Sequence, residues 1–133
     1  MGVFDVQGES LTNNTAIILY GDHGWDHQQF QLIPVGINGS SDLFEIAVKS
    51  RNSGNKVLDV RGGKFENGAP IILQDDRDTD SQQFHLISVK SGFFKISARS
   101  GNKVLDVQGN VFDNSTPIIL FDDRGTGKTS NFS

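Results

Sequence analysis

The sequence predicts an all-β fold, a β-trefoil of three similar four-stranded repeats, and three observations carry that prediction. First, the stretch NKVLDVRGGKFENGAPIILQDDRDTDSQQF at residues 55–84 is written again as NKVLDVQGNVFDNSTPIIL at 102–120 and as VFDVQGESLTNNTAIILYGDHGWDHQQF at 3–30. Three copies of one unit set an architecture before any single residue does. Second, the 133 residues include 15 glycines and few helix-forming runs, a balance that favours strands and turns. Third, Asp5, Asp59 and Asp106 are spaced by 54 and 47 residues, and the difference falls in turn-like stretches near Gly36 and Ser50. A repeated strand scaffold tolerates insertions there. A two-sheet sandwich does not account for three similar units of this length.

Each repeat can be justified in order. Repeat 1 covers about residues 1–42: a strand stub at 3–6, ended by Gly8, a polar loop at 9–15 and an apolar strand at 16–20. Gly21, Asp22, His23 and Gly24 make a turn cluster, followed by a strand at 28–35 and a loop by composition at 36–42. Repeat 2, about 43–89, opens with LFEIAV, in which Phe44, Ile46 and Val48 alternate with Glu45 and Ala47. That period of two marks a strand with one buried face. A turn at 50–55 leads to strands at 56–60, 70–74 and 82–89. Pro70 stands at a strand start, where its missing N–H does no harm. Repeat 3, about 90–133, places strands at 93–98, 103–107 and 117–121 and a remnant at 130–133. Residues 1–133 are thus expected to form one domain.

Repeat 1 has no counterpart of the opening strands LFEIAV and FFKISA. Closure between the first and last repeats is therefore expected to need a second copy of the chain or a longer parent polypeptide, because an open sheet edge invites pairing. The net charge of -4 argues against nucleic acid, which requires clustered Lys and Arg. Without cysteine, the chain is expected to rely on its core alone or to stay in a reducing compartment, a cytoplasmic leaning. The N-terminus MGVFDVQG is already repeat sequence and reads as no signal peptide. No apolar run approaches the ~20 residues that cross a bilayer, so membrane insertion is not expected. Sequons at Asn13, Asn38, Asn114 and Asn131 matter only in an exported chain, and an Asn- and Ser-rich composition explains them by chance.

The repeated pattern is L-D-V, a glycine, then N-G-x-P before an apolar strand, then Q-Q-F. It resembles the ricin B-type (R-type) lectin β-trefoil family over nearly the whole chain. The family's Q-x-W ring is replaced here by Phe30, Phe84 and Phe132, and phenylalanine is a fair volume substitute. Cysteines that pair within the repeats of many members are replaced by Val3 and Asp22, Val57 and Asp76, and Val104 and Asp123.

The resemblance implies a shallow sugar pocket on each repeat. The aspartate of L-D-V accepts hydrogen bonds from two sugar hydroxyls, as an acceptor-only, charged group can. An aromatic ring at the end of the third strand stacks on the sugar's C–H face. Polar residues before the Q-x-W ring add hydrogen bonds. Carried over residue by residue, repeat 1 holds the fullest set: Asp5, Tyr20, His27 and Gln28. Repeat 3 holds Asp106 and Phe121, with Thr129 and Ser130 at the polar positions. Repeat 2 has Asp59, Ser81 and Gln82 but Gln74 in place of the ring, the mark of an altered or inactive site. Ile18, Ile72 and Ile119 stand where the family often has a polar residue. The residues also admit a plainer reading. An aspartate in this motif can tie down its own turn, and Gln28 and Gln82 serve equally well as turn-fixing groups.

Other constellations carry less. Asp75, Asp76, Asp78 and Asp80 form an acidic loop, but their spacing matches no EF-hand and reads as a solvated turn. Asp22, His23, Asp26 and His27 lie in a loop, not on the helix face that metal-ligating histidines four apart would need. Gly127, Lys128 and Thr129 lack the earlier glycine of a phosphate loop. Trp25 either widens the repeat 1 contact or covers the core edge. No nucleophile with a base and no acid pair for glycoside hydrolysis stands out. The reading is a non-enzymatic, cofactor-free and metal-free lectin for glycans or glycoproteins, with terminal galactose or N-acetylgalactosamine implied by the resemblance. The alternatives are a protein-binding trefoil such as a protease inhibitor, the binding module of a longer toxin or glycosidase, or a scaffold that has lost sugar binding.

Overall fold

A computed structural model describes residues 2–22, 24, 28–35, 43–49, 56–90, 93–100 and 102–123. The described residues hold ten strands. Repeat 1 supplies β1 (Gly2–Val6), β2 (Thr15–Gly21) and β3 (Phe30–Pro34). Repeat 2 supplies β4 (Leu43–Val48), β5 (Lys56–Val60), β6 (Ile71–Asp75) and β7 (Phe84–Lys90). Repeat 3 supplies β8 (Phe93–Ala98), β9 (Lys103–Val107) and β10 (Thr116–Asp122). The expected remnant at 130–133, with Phe132, lies outside the described residues.

The strands at 43–48, 56–60, 93–98 and 103–107 have the bounds that the sequence pattern predicts. Two others start two residues later than predicted. β3 and β7 begin at Phe30 and Phe84, because Gln28 and Gln82 belong to 3-10 turns. In the second of these, Asp80–Gln82, the turn closes when Gln83 N–H donates to the Asp80 carbonyl. The glutamines are thus taken out of the ladder just before the strand starts.

Three antiparallel hairpins, β1–β2, β5–β6 and β9–β10, repeat one geometry. Each first strand ends in a 3-10 turn with a glycine at positive φ: Gly8 at 63°, Gly62 at 68° and Gly109 at 65°. A side chain is disfavoured in that left-handed region, which is why the glycine after L-D-V recurs. The third strands then meet in a ring. Ile18 pairs with Pro117, Ile72 with Ala16, and Ile119 with Pro70. The backbone repeats the pattern: the N–H groups of Asn14, Gly68 and Ser115 donate to the carbonyls of Leu73, Leu120 and Leu19, at 2.9, 2.8 and 2.7 Å. Each repeat therefore bonds to the next, and the circle closes.

Alternation decides what each hairpin buries. The inward positions form matched triples: Val6, Val60 and Val107; Ile17, Ile71 and Ile118; Leu19, Leu73 and Leu120. All nine belong to one core cluster, and each fully buried side chain of this size stabilises the fold by about 1.5–3 kcal/mol. Phe84 is 1% exposed in the same core, and Phe30 packs against it, edge to face with Phe4 at 6.5 Å between ring centroids. These rings fill the volume expected of the family's larger aromatic. β5 and β9 each also meet the opening strand of their own repeat, through Val57 to Ala47 and Val104 to Ser97. Among the described strands β1 pairs only with β2.

Candidate functional site

The outward face of each hairpin carries the predicted site residues. Asp5 lies opposite Ile18, Asp59 opposite Ile72 and Asp106 opposite Ile119. Two residues along the partner strand, on the same face, stand Tyr20, Gln74 and Phe121. Such diagonal neighbours lie about 7–8 Å apart, within reach of one small ligand. Sequence spacing and strand register therefore bring carboxylate and ring together in repeats 1 and 3, and carboxylate and amide together in repeat 2. Asp5, Asp59 and Asp106 are only 4%, 7% and 3% exposed, whereas Tyr20 is 36% exposed. The carboxylates form a floor, and the ring is the accessible part.

The glutamines brace that floor. Gln28 Nε2 donates to Asp5 Oδ2 at 3.0 Å and to the Gly21 carbonyl at 2.8 Å, while its Oε1 accepts from Gly24 N–H. Gln82 repeats the arrangement: Nε2 donates to Asp59 Oδ2 at 3.2 Å and to the Asp75 carbonyl at 2.7 Å, and Oε1 accepts from Arg77 N–H. Gln82 is wholly buried. Each amide locks the loop after the third strand onto the aspartate of the second. Ser81 is buried beside it, with its hydroxyl 3.1 Å from that of Thr79. Asp106 accepts from the N–H of the next residue, Val107, at 2.8 Å, a bond at the end of its own strand. His27, Trp25, His23, Asp26, Thr129 and Ser130 lie outside the described residues. The isoleucines that replace a polar residue have a tertiary explanation: at 3%, 2% and 6% exposure they lie under the neighbouring repeat at the closing ring.

Two groups of residues do work that the spacing did not flag. Asn13 reaches from repeat 1 to repeat 2, donating to Asp75 Oδ2 at 3.0 Å and accepting from Lys56 Nζ at 2.8 Å; Lys56 pairs with Asp75 at 2.6 Å. Asn67 does the same with Asp122 and Lys103. In the sequence Asn13 reads as a sequon, and its recurrence as Asn67 and Asn114 is the signal for this role. The second group is the acidic loop. Asp75 and Asp80 pair with Lys56 and Arg99. Asp76 and Asp78 instead face Glu45, which is 5% exposed. Burial pushes the Glu45 carboxyl up to about 7, aided by its bond to Asp76 and by the charges of Asp76 and Asp78.

With braced carboxylates and surface rings on a closed threefold of hairpins, the molecule has the form of a trefoil lectin. The sequence matches the family described as ricin-type beta-trefoil lectin domain-like over residues 2–74 and 26–121, and the chain belongs to that family. Membership supports a carbohydrate-binding role. No curated protein sequence matches the chain. Among solved structures, the designed threefold-symmetric protein ThreeFoil is similar at a TM-score of 0.88 and 25% identity, over 98% of this chain and 87% of that one. An exo-beta-1,3-galactanase from Clostridium thermocellum is similar at 0.86 and 27% identity, over 98% of this chain but 26% of that one, so this chain spans about a quarter of the enzyme. A Macrolepiota procera ricin B-like lectin in complex with lactose shares the fold at 0.73 and 20% identity, over 98% and 84% of the two chains. No helix among the described residues is long and apolar enough to cross a membrane.

Proposed function

We propose that the chain is a non-enzymatic lectin that binds terminal galactose or N-acetylgalactosamine, on glycans or glycoproteins, through the outward faces of its hairpins. The observation that carries this reading is the pairing of a buried carboxylate with a ring on the same hairpin face, Asp5 with Tyr20 and Asp106 with Phe121. Asp5 and Asp106 accept sugar hydroxyls, Tyr20 and Phe121 stack on the sugar face, and Gln28 holds Asp5 in place. His27 adds a polar contact in repeat 1. Repeat 2, with Gln74 beside Asp59 and with Ser81 and Gln82 behind it, lacks the stacking surface and binds weakly or not at all. The galactose-type preference is supported by the lactose complex of the Macrolepiota procera lectin and by the galactanase. Each site alone is weak, and two on one chain gain through avidity.

A glycan array with labelled protein tests this. Binding to terminal galactosides, competed by free galactose and reduced by Asp5→Ala or Tyr20→Ala, is expected. A blank array at high protein concentration would remove the sugar claim. A second reading, the targeting module of a longer glycosidase, draws on the extent of the galactanase match. It predicts the same binding with no release of sugar from the bound glycan.

A further inference from the structure

Repeats 2 and 3 carry opposite charges at one buried position. In repeat 3, Lys95 of β8 lies opposite Ile87 and is 7% exposed. Its Nζ lies 2.7 Å from Asp123 Oδ1. In repeat 2 the same place is taken by Glu45 of β4, opposite Ile33, and the residue matching Asp123 is Asp76. The ammonium has become a carboxylate, and Asp78 adds another. One oxygen from each of Glu45, Asp76 and Asp78 lies within 4.8 Å of the others. Glu45 is buried, and its Oε2 has no hydrogen-bond partner among the described residues. A buried carboxylate facing two others, with no positive group paired to it among the described residues, is a costly arrangement unless a proton or a cation joins it.

We propose that Glu45, Asp76 and Asp78 bind a hard divalent cation of the calcium class, seated where repeat 3 keeps the Lys95 ammonium. An all-oxygen donor set selects calcium, magnesium or manganese over softer metals, and calcium best tolerates three carboxylates completed by water. The ion would fasten β4 to the loop after β6. That loop's Arg77 N–H bonds Gln82, which holds Asp59, so the cation supports the repeat 2 floor. The spacing of the acidic loop hides the site, because Asp75 and Asp80 are engaged by Lys56 and Arg99 and the third ligand comes from a distant strand.

The test is a calcium titration of the chelator-treated full chain, read by calorimetry and by melting temperature. Saturable binding at one site with a dissociation constant between about 10⁻⁶ and 10⁻³ M is expected, with a rise in Tm. Glu45→Gln and Asp78→Asn should each weaken it at least tenfold. Glu45→Lys should rebuild the repeat 3 pair, raise the Tm in chelator and abolish the calcium response. Absence of any response to calcium, magnesium or manganese at about 10 mM, above the weakest sites of this kind, would overturn the proposal. So would an undiminished response in Glu45→Gln, the variant that carries the test should Glu45→Lys fail to fold.

Discussion

The three joints between repeats share a backbone and differ in side chains. At two of them an asparagine, a lysine and an aspartate form a clasp: Asn13 with Lys56 and Asp75, and Asn67 with Lys103 and Asp122. At the third, the matching residues are Gly2 and Gly21, and Asn114 only accepts from the Gly21 N–H at 2.9 Å. Gly2 has no room for anything else, since a Cβ there would come within 2.5 Å of Leu19. The backbone bonds across the ring persist at all three joints. The comparison teaches that closure rests on the shared backbone pairing and core, while the polar clasp is an addition that one joint does without.

Several substitutions can break or sharpen this comparison. The largest effect is expected in the shared core. Leu73→Ala and Leu120→Ala, at equivalent and fully buried positions, should each cost about 2–5 kcal/mol in urea unfolding. A loss at one site below about half that at the other would mean the core is not shared evenly. Next, Gly2→Ala should cost about 1–3 kcal/mol by overpacking against Leu19, read as a fall in Tm; an unchanged Tm would show that the bare joint has slack. Asn13→Ala should cost about 1 kcal/mol and Asn114→Ala less, because Asn114 has only the one joint bond given above. Equal losses would erase the distinction between clasped and bare joints.

The smallest effect is in pH. The Asp75 carboxyl is held below its usual value of 3.8, first by the Asn13 hydrogen bond and then by Lys56. A carboxylate with a depressed folded value stabilises the native state above the unfolded value and loses that contribution as pH falls through the folded one. The clasp should therefore weaken below about pH 3.8. Asn13→Ala should flatten this acid limb of the stability profile, and an unchanged limb would remove the clasp as its cause.

Much of the candidate site's geometry was legible in the sequence because a hairpin is local. The constant spacing from Asp5 to Tyr20, from Asp59 to Gln74 and from Asp106 to Phe121 fixes a register, and the period of two puts each pair on one face. Gln28 and Gln82 were legible as turn or ligand residues, but choosing between internal roles required seeing which carbonyls and N–H groups they meet. Ile18, Ile72 and Ile119 read as lost contacts until the ring showed them covered by the next repeat.

By itself, then, the sequence determined the repeat, the strands, the inward and outward faces and the glycines at positive φ, because alternation and turn conformation depend on neighbours along the chain. Only the tertiary structure decided which outward residues are buried at the ring, that Asn13 and Asn67 clasp adjacent repeats, and that Glu45 faces Asp76 and Asp78 where Lys95 faces Asp123. Those contacts join residues far apart in sequence, and nothing local specifies them until the three hairpins close on one another.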